Sequence, residues 1–248
     1  MMRLPGVDAA LQPLERVVII TGNYGSGKTE VAVNWTLHLA QSGVAGLSIA
    51  DLDVVNPYFR CREAAALLER FGVQVVVPRG EHFHSELPII LPEIKGLLQR
   101  EDGIAVLDVG GDDVGARVLH SFAGFFRAHE MLQVVNAFRP FTDTVAGCLR
   151  IQDEIQESSG LRMTGIIANA HLMDETGVET ILRGAELAVE VAERRGLLLR
   201  FVTAERSLAA EVARRSGLPV LPLDRWMLPP WKSPPRTVGP LFKVRAGG

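Results

Sequence analysis

Apolar residues fall along this chain in two rhythms. Short runs rich in Val, Ile and Leu lie at 16–21, 46–50, 73–77, 104–107, 132–136, 165–168 and 198–202, with few polar residues among them. Runs of this length without strict apolar–polar alternation predict strands covered on both faces, as in a parallel sheet. Between them apolar residues return every three or four positions, which predicts helices at 28–41, 60–70, 92–100, 114–122, 142–157, 178–195 and 207–216. Gly43, Gly72, Gly160, Gly196 and Gly217 stand where left-handed caps would close several of these helices.

The repeated order of strand and helix predicts an α/β fold, a mostly parallel sheet flanked by helices on both faces, because right-handed crossovers lay the helices over the sheet. Such a fold binds its ligands beyond the carboxyl ends of the strands. One domain is expected over 15–228, after an N-terminal extension, 1–14, and before a Pro-rich C-terminal tail, 229–248. The tail opens Pro229-Pro230-Trp231-Lys232-Ser233-Pro234-Pro235-Arg236. Missing amide donors and fixed φ angles make it extended, either a strap over the surface or a partner-binding segment.

Directly after the first strand comes Gly22-Asn23-Tyr24-Gly25-Ser26-Gly27-Lys28-Thr29, which matches G-x-x-x-x-G-K-[ST] in full and opens a helix. The glycines let backbone amides turn inward on phosphate oxygens, and the helix start adds its positive dipole end. Lys28 is expected to reach the β and γ phosphates, and the Thr29 hydroxyl to ligate Mg2+. Residues Gly22 to Thr29, with Glu30 following, are the expected nucleotide contacts.

Two later strands end in acids. The run 46–50 passes into Asp51-Leu52-Asp53, and Asp53 is expected to orient the attacking water and to take part in the Mg2+ site with Thr29 and Asp108. Turn residues or helix caps are the plainer alternative for this pair. The run 104–107 passes into Asp108-Val109-Gly110-Gly111-Asp112-Asp113. Asp108 is placed as a Walker B ligand of Mg2+, Gly110 and Gly111 as backbone near the γ-phosphate, and Asp112 or Asp113 as a cap for the next helix.

With this loop, the Asp51-x-Asp53 strand end and Asp108, the chain resembles the MinD/ParA/CobQ-type (SIMIBI class) P-loop nucleotide-binding proteins over roughly 16–223. The resemblance implies that Asp53 helps activate water, that Asp108 is the Walker B acid, that Asn169 reads the base, and that the chain forms a homodimer around nucleotide. Dimerising members carry a lysine at the second loop position, where this chain has Asn23. Arg60 or Arg62 could replace that charge, or simply solvate a helix face.

Asn169-Ala170-His171-Leu172 lacks the lysine and aspartate of the guanine-reading Asn-Lys-x-Asp pattern, so ATP with Mg2+ is the expected cofactor pair. Thr203-Ala204-Glu205 either completes the base pocket or is a plain turn. The reading that follows is a slow ATPase that switches its grip on an unidentified protein partner. One alternative is an ATP-dependent amide ligase resembling the dethiobiotin synthetase and CobB groups, or a small-molecule kinase with Arg139 and Arg150 lining an acceptor site. Another is a metal-delivery ATPase resting on His82 and His84, which between Glu81 and Glu86 read equally as an exposed loop.

Composition narrows the picture. Of 248 residues 47% are hydrophobic, and the mean hydropathy of +0.17 agrees with a doubly covered sheet. A net charge of -3 gives no electrostatic reason to expect nucleic acid or an acidic membrane surface. Cys61 and Cys148 have no CxxC partner and read as packed thiols in a reducing cytoplasm. No stretch approaches ~20 apolar residues, and 1–14 lacks a signal-like apolar core. Trp226, Met227, Leu228 and Trp231 either cover the sheet edge or dock a partner, and no basic amphipathic helix follows them.

Overall fold

The computed structural model describes residues 4, 6–53, 64–77, 92–111, 113–126 and 128–226. In chain order the elements are β1 (Val17–Thr21), α1 (Lys28–Gln41), β2 (Leu47–Leu52), α2 (Ala65–Arg70), β3 (Gln74–Val76), α3 (92–99), β4 (Ile104–Val109) and α4 (Asp113–Phe122). They continue as β5 (Glu130–Val135), α5 (Val145–Ser159), β6 (Gly165–Ala168), α6 (Val178–Arg195), β7 (Leu198–Glu205), α7 (Arg206–Ser216) and β8 (Val220–Leu223). The eight strands form one sheet in the order β3-β2-β4-β1-β5-β6-β7-β8, and every neighbouring pair is parallel.

The strand runs carry no alternation because both faces are covered. In β1, Val18 and Ile20 pack with α1 residues such as Val31 and Trp35, while Val17 and Ile19 pack on the other face with Ile94, Leu119, Phe122 and Ile155 from α3, α4 and α5. Val135, Ile166, Val202 and the apolar stripes of α6 and α7 build a third cluster beyond them. Trp35 is fully buried; its ring meets Phe201 edge-on at 5.0 Å, the geometry aromatic quadrupoles favour.

The first residues are tied to this core. Trp35 Nε1 donates to the Leu11 carbonyl at 2.8 Å, and Val7 and Leu11 are buried in the α1 cluster. At the amino ends of the strands Arg200 and Glu130 form a buried ion pair. Arg200 Nη2 also donates to the Gln12 carbonyl at 2.6 Å, and Glu130 Oε2 accepts from the Leu14 amide at 2.9 Å. Both ions are thus paired and hydrogen-bonded, as burial requires.

The strands differ from the sequence expectation at their ends. β2, β4 and β7 run on to Leu52, Val109 and Glu205, so Asp51 and Asp108 lie inside strands and face each other in register. Aspartate's poor strand propensity hides this continuation. β8 was not expected, because Pro222 interrupts a short run; at the sheet edge its missing amide breaks no ladder bond. α5 starts at Val145, where the Thr144 hydroxyl accepts from the Gly147 amide at 3.1 Å. Of the helix expected over 60–70, the described part is Ala65–Arg70. Among the described residues no helix is long and apolar enough to cross a membrane.

Candidate nucleotide-binding site

The loop between β1 and α1 sits in the middle of the sheet, flanked by β4 and β5, where the chain reverses the direction in which it adds strands. Gly22, Gly25 and Gly27 all have positive φ, and Gly27, with φ 83, is the left-handed residue that opens α1. A Cβ at Gly27 would lie 2.3 Å from Asn169 Nδ2, so both backbone and space demand glycine there. α1 begins at Lys28, directly after the loop, so the amides of its first turn lie beside it.

Five side chains converge beneath the loop. Lys28 Nζ lies 2.7 Å from Asp53 Oδ2, and the Thr29 hydroxyl donates to Asp108 Oδ2 at 2.7 Å. Asp51 Oδ1 accepts from the Asp53 amide at 3.1 Å, and all three aspartates are buried. Burial first, then the neighbouring Asp51, pushes the Asp108 carboxyl up to about 8, with Asp53 adding and Lys28 and the Thr29 hydroxyl opposing. The cluster therefore carries more potential negative charge than its ammonium offsets.

That donor set fits Mg2+. Asp108 Oδ1 is buried and has no hydrogen-bond partner among the described residues. A divalent cation would neutralise the acids and restore Asp108 to its ionised form. Among the described residues no three His, Cys, Asp or Glu side chains form a protein-only metal cage; Mg2+ in phosphate sites takes its remaining ligands from phosphate and water.

Beside the loop a cavity of ≈ 200 Å³ opens between Gly25, Gly27 and the ends of β6, β7 and β8. Ala170, Met173, Ile181, Ala204 and Leu223 give it apolar walls, and Glu30, Asn169, His171, Thr203 and Arg225 place polar groups among them. Asn169 lines this cavity, but its amide is engaged: Nδ2 donates to the Ser26 carbonyl at 2.6 Å, and Oδ1 accepts from the Thr203 hydroxyl. It braces the loop from behind. Glu30 Oε1 accepts from Asn34 Nδ2 at 3.0 Å and the Trp226 amide at 2.9 Å. Burial, with Arg139 and then Arg225 nearby, lowers His171 to about 4, so it is neutral at pH 7.

Other expected residues fall as follows. Asn23 is held within its own chain, Nδ2 donating to the Pro140 carbonyl at 3.0 Å, and Tyr24 is 70% exposed. Gly111 lies against the loop, where an added Cβ would be 2.0 Å from the Gly22 carbonyl oxygen. Arg139 lines the cavity, Nε donating to the Gly25 carbonyl at 3.0 Å. Arg150 lies elsewhere, on α5, 3.9 Å from Glu154 and lining a separate groove, so the two arginines do not share one pocket. Cys148 is buried; its thiol donates to the Thr142 carbonyl at 3.4 Å, and burial pushes it up to about 12, which makes it inert. Arg60, Cys61, Arg62, Glu81, His82, His84, Glu86, Asp112, Met227, Leu228, Trp231 and the tail lie outside the described residues. His171, Leu223 and Arg225 were not foreseen in the wall; their only signal is that they lie at or within three residues of the ends of β6 and β8.

No family model matches the sequence, and no curated protein matches it. Among solved structures the fold is similar to that of the signal recognition particle 54 kDa protein from Aeropyrum pernix K1 in complex with GDP, with TM-score 0.52 and 22% identity over 79% of this chain and 44% of that one. FtsY from Mycoplasma mycoides gives TM-score 0.51 and 18% identity over 77% and 62%. FtsY from Thermotoga maritima gives 0.50 and 18% over 76% and 61%. The chain thus spans 44% to 62% of the length of these proteins. The likeness is one of fold, a three-layer α/β architecture with a parallel sheet between helices, and it singles out no MinD/ParA/CobQ branch.

Proposed function

We propose that the chain binds a nucleoside triphosphate with Mg2+, hydrolyses it slowly, and uses the change in bound nucleotide to alter its grip on a partner protein. The observation that carries this reading is the convergence of Lys28, Thr29, Asp53 and Asp108 beneath a glycine loop at the ends of β1, β2 and β4. Lys28 neutralises the β and γ phosphates, and Asp53, held beside it, orients a water in line with the γ-phosphate. Thr29 and Asp108 would hold Mg2+, which when bound supplies charge neutralisation along the phosphate chain. Gly111 packs on the loop backbone, so movement at the end of β4 follows movement of the loop.

Adenine is the base we assign. The cavity walls are small and apolar around Ala170 and Ala204, and among the described residues the two carboxylates of the lining are engaged, Glu205 Oε1 with Arg225 at 3.2 Å and Glu30 Oε1 with Asn34 and the Trp226 amide. Guanine is the second reading, because the 54 kDa neighbour was solved with GDP. Homodimerisation belongs to the same proposal, but Asn23, held to the Pro140 carbonyl of its own chain, supplies no charge across it. Titration with Mg·ATP and Mg·GTP, with phosphate release and molecular mass followed in parallel, tests the reading. Tighter ATP binding, slow release and a nucleotide-dependent rise in mass are expected. Tighter GTP binding reverses the base, release that requires an added small acid or alcohol turns the assignment to a ligase or kinase, and no binding of either nucleotide ends it.

A further inference from the structure

The cations of the nucleotide cavity are unequally committed. Lys28 is paired with Asp53 at 2.7 Å. Arg225 is held by Asp174 at 2.6 Å and Glu205 at 3.2 Å. His171 is neutral at pH 7, being lowered to about 4. Arg139 differs from all three. Its Nε donates to the Gly25 carbonyl at 3.0 Å, and among the described residues it has no carboxylate within ion-pair distance and no further partner for its terminal nitrogens. A half-buried guanidinium in a cavity wall without a counter-ion invites an anion from outside.

Its position says which part of the ligand that anion is. Gly25 belongs to the phosphate loop, and Arg139 stands on the opposite flank of that loop from the β2 and β4 acids that face Lys28 and Thr29. The ends of β6, β7 and β8 form the base side of the cavity. We propose that Arg139 is a second phosphate-binding residue, its guanidinium fork gripping the diphosphate portion common to nucleoside di- and triphosphates. The inference rests on the proposed nucleotide function. A planar fork suits two phosphate oxygens at once, and the turn that carries it is fixed by Arg139 N donating to the Asn136 carbonyl at 3.2 Å and the Thr142 hydroxyl to the same carbonyl at 2.8 Å. The positive charge absent at Asn23 is thereby supplied from within the chain, from the β5–α5 turn.

Arg139→Gln separates charge from bracing, since its amide nitrogen is as many bonds from the backbone as arginine Nε and keeps the donor to Gly25. Calorimetric titration of wild type, Arg139→Gln and Arg139→Lys with Mg·ADP and Mg·ATP at several salt concentrations, alongside thermal melts, is the test. The Gln variant should keep its melting temperature, bind both nucleotides about ten- to a hundredfold more weakly, and show a shallower salt dependence; the Lys variant should fall between. ADP binding by the Gln variant within twofold of wild type, with an unchanged salt slope, overturns the assignment. Wild type that binds neither ADP nor ATP would instead refute the nucleotide function on which it rests.

Discussion

A methyl group at Gly111 tests whether the end of β4 sets the geometry of the phosphate loop. The Cβ of Gly111→Ala would lie 2.0 Å from the Gly22 carbonyl oxygen, 2.5 Å from its carbon and 3.2 Å from the Asn23 nitrogen. Comfortable heavy-atom separations are about 3.5 Å, so the two backbones must part by roughly 1.5 Å, and no rotamer can relieve a clash between main-chain atoms. Overpacking of this kind costs about 1–3 kcal/mol, or roughly 2–12 °C of melting temperature for a domain of this size. On the proposed function the loop is also the ligand cradle, and displacement by about 1 Å can cost a factor of ~100 in turnover. Gly124→Ala is the matched control, since nothing lies within 4 Å of its added carbon. Thermal melts and Mg·ADP calorimetry on both variants should show Gly124→Ala unchanged and Gly111→Ala less stable and at least ~10-fold weaker in binding. If Gly111→Ala matches wild type in both assays, β4 does not support the loop and the coupling assigned to it is wrong.

Two further outcomes follow from the same cluster. Saturating Mg·ATP at ~100 times its dissociation constant should add about 2.7 kcal/mol of stability, seen as a raised melting temperature. Lys28→Ala should remove that rise, and an undiminished rise in the variant would show that the triphosphate lies elsewhere. Asp108 gives a pH signature. Its carboxyl is raised from 3.8 to about 8 in the folded chain, so the folded state keeps a proton that the unfolded state has lost. The contribution of Asp108 to stability without metal is therefore fully present near pH 4 and is lost, on the order of 1 kcal/mol per pH unit, as pH rises to about 8. Asp108→Asn has no such proton, and its melting temperature should gain on wild type steadily across that window in EDTA while its protection by Mg·ATP is lost. A constant difference between the two from pH 4 to pH 8 would exclude Asp108 as the titrating group.

Where a motif lies in consecutive residues, its place in the fold was legible in the sequence. The loop from Gly22 to Thr29 is a local object, and its place after a strand and before a helix followed from apolar periodicity alone. The doubly covered sheet was legible for the same reason. Asp51 and Asp108 were found as acids at strand ends but sit one step further in, because the ladder between β2 and β4 continues through them against aspartate's strand propensity. The cavity was not legible. Arg139 meets Gly25 across a sequence separation of 114, and Arg225 and Leu223 reach the wall only because β8 adds to the edge of the sheet. Asn169, expected to read the base, lines the cavity, yet its two polar atoms serve Ser26 and Thr203, a partnership set by tertiary packing.

The two cations of the site divide binding from switching on this reading. A ligand can shift a conformational equilibrium only by its differential affinity for the two states. A residue on the diphosphate, such as Arg139, meets the same atoms before and after hydrolysis and so sets affinity without discriminating. Lys28 meets a γ-phosphate that is present in one state and absent in the other, and its ammonium also lies 2.7 Å from Asp53. One point charge cannot serve both acceptors fully. With the γ-phosphate in place the hold on Asp53 weakens, and with its loss Asp53 regains the ammonium. Asp53 directly follows β2, so the exchange of partner is felt where the chain leaves that strand, and the Lys28 and Asp53 variants should abolish any difference between the ATP and ADP conformations while Arg139 variants leave it intact.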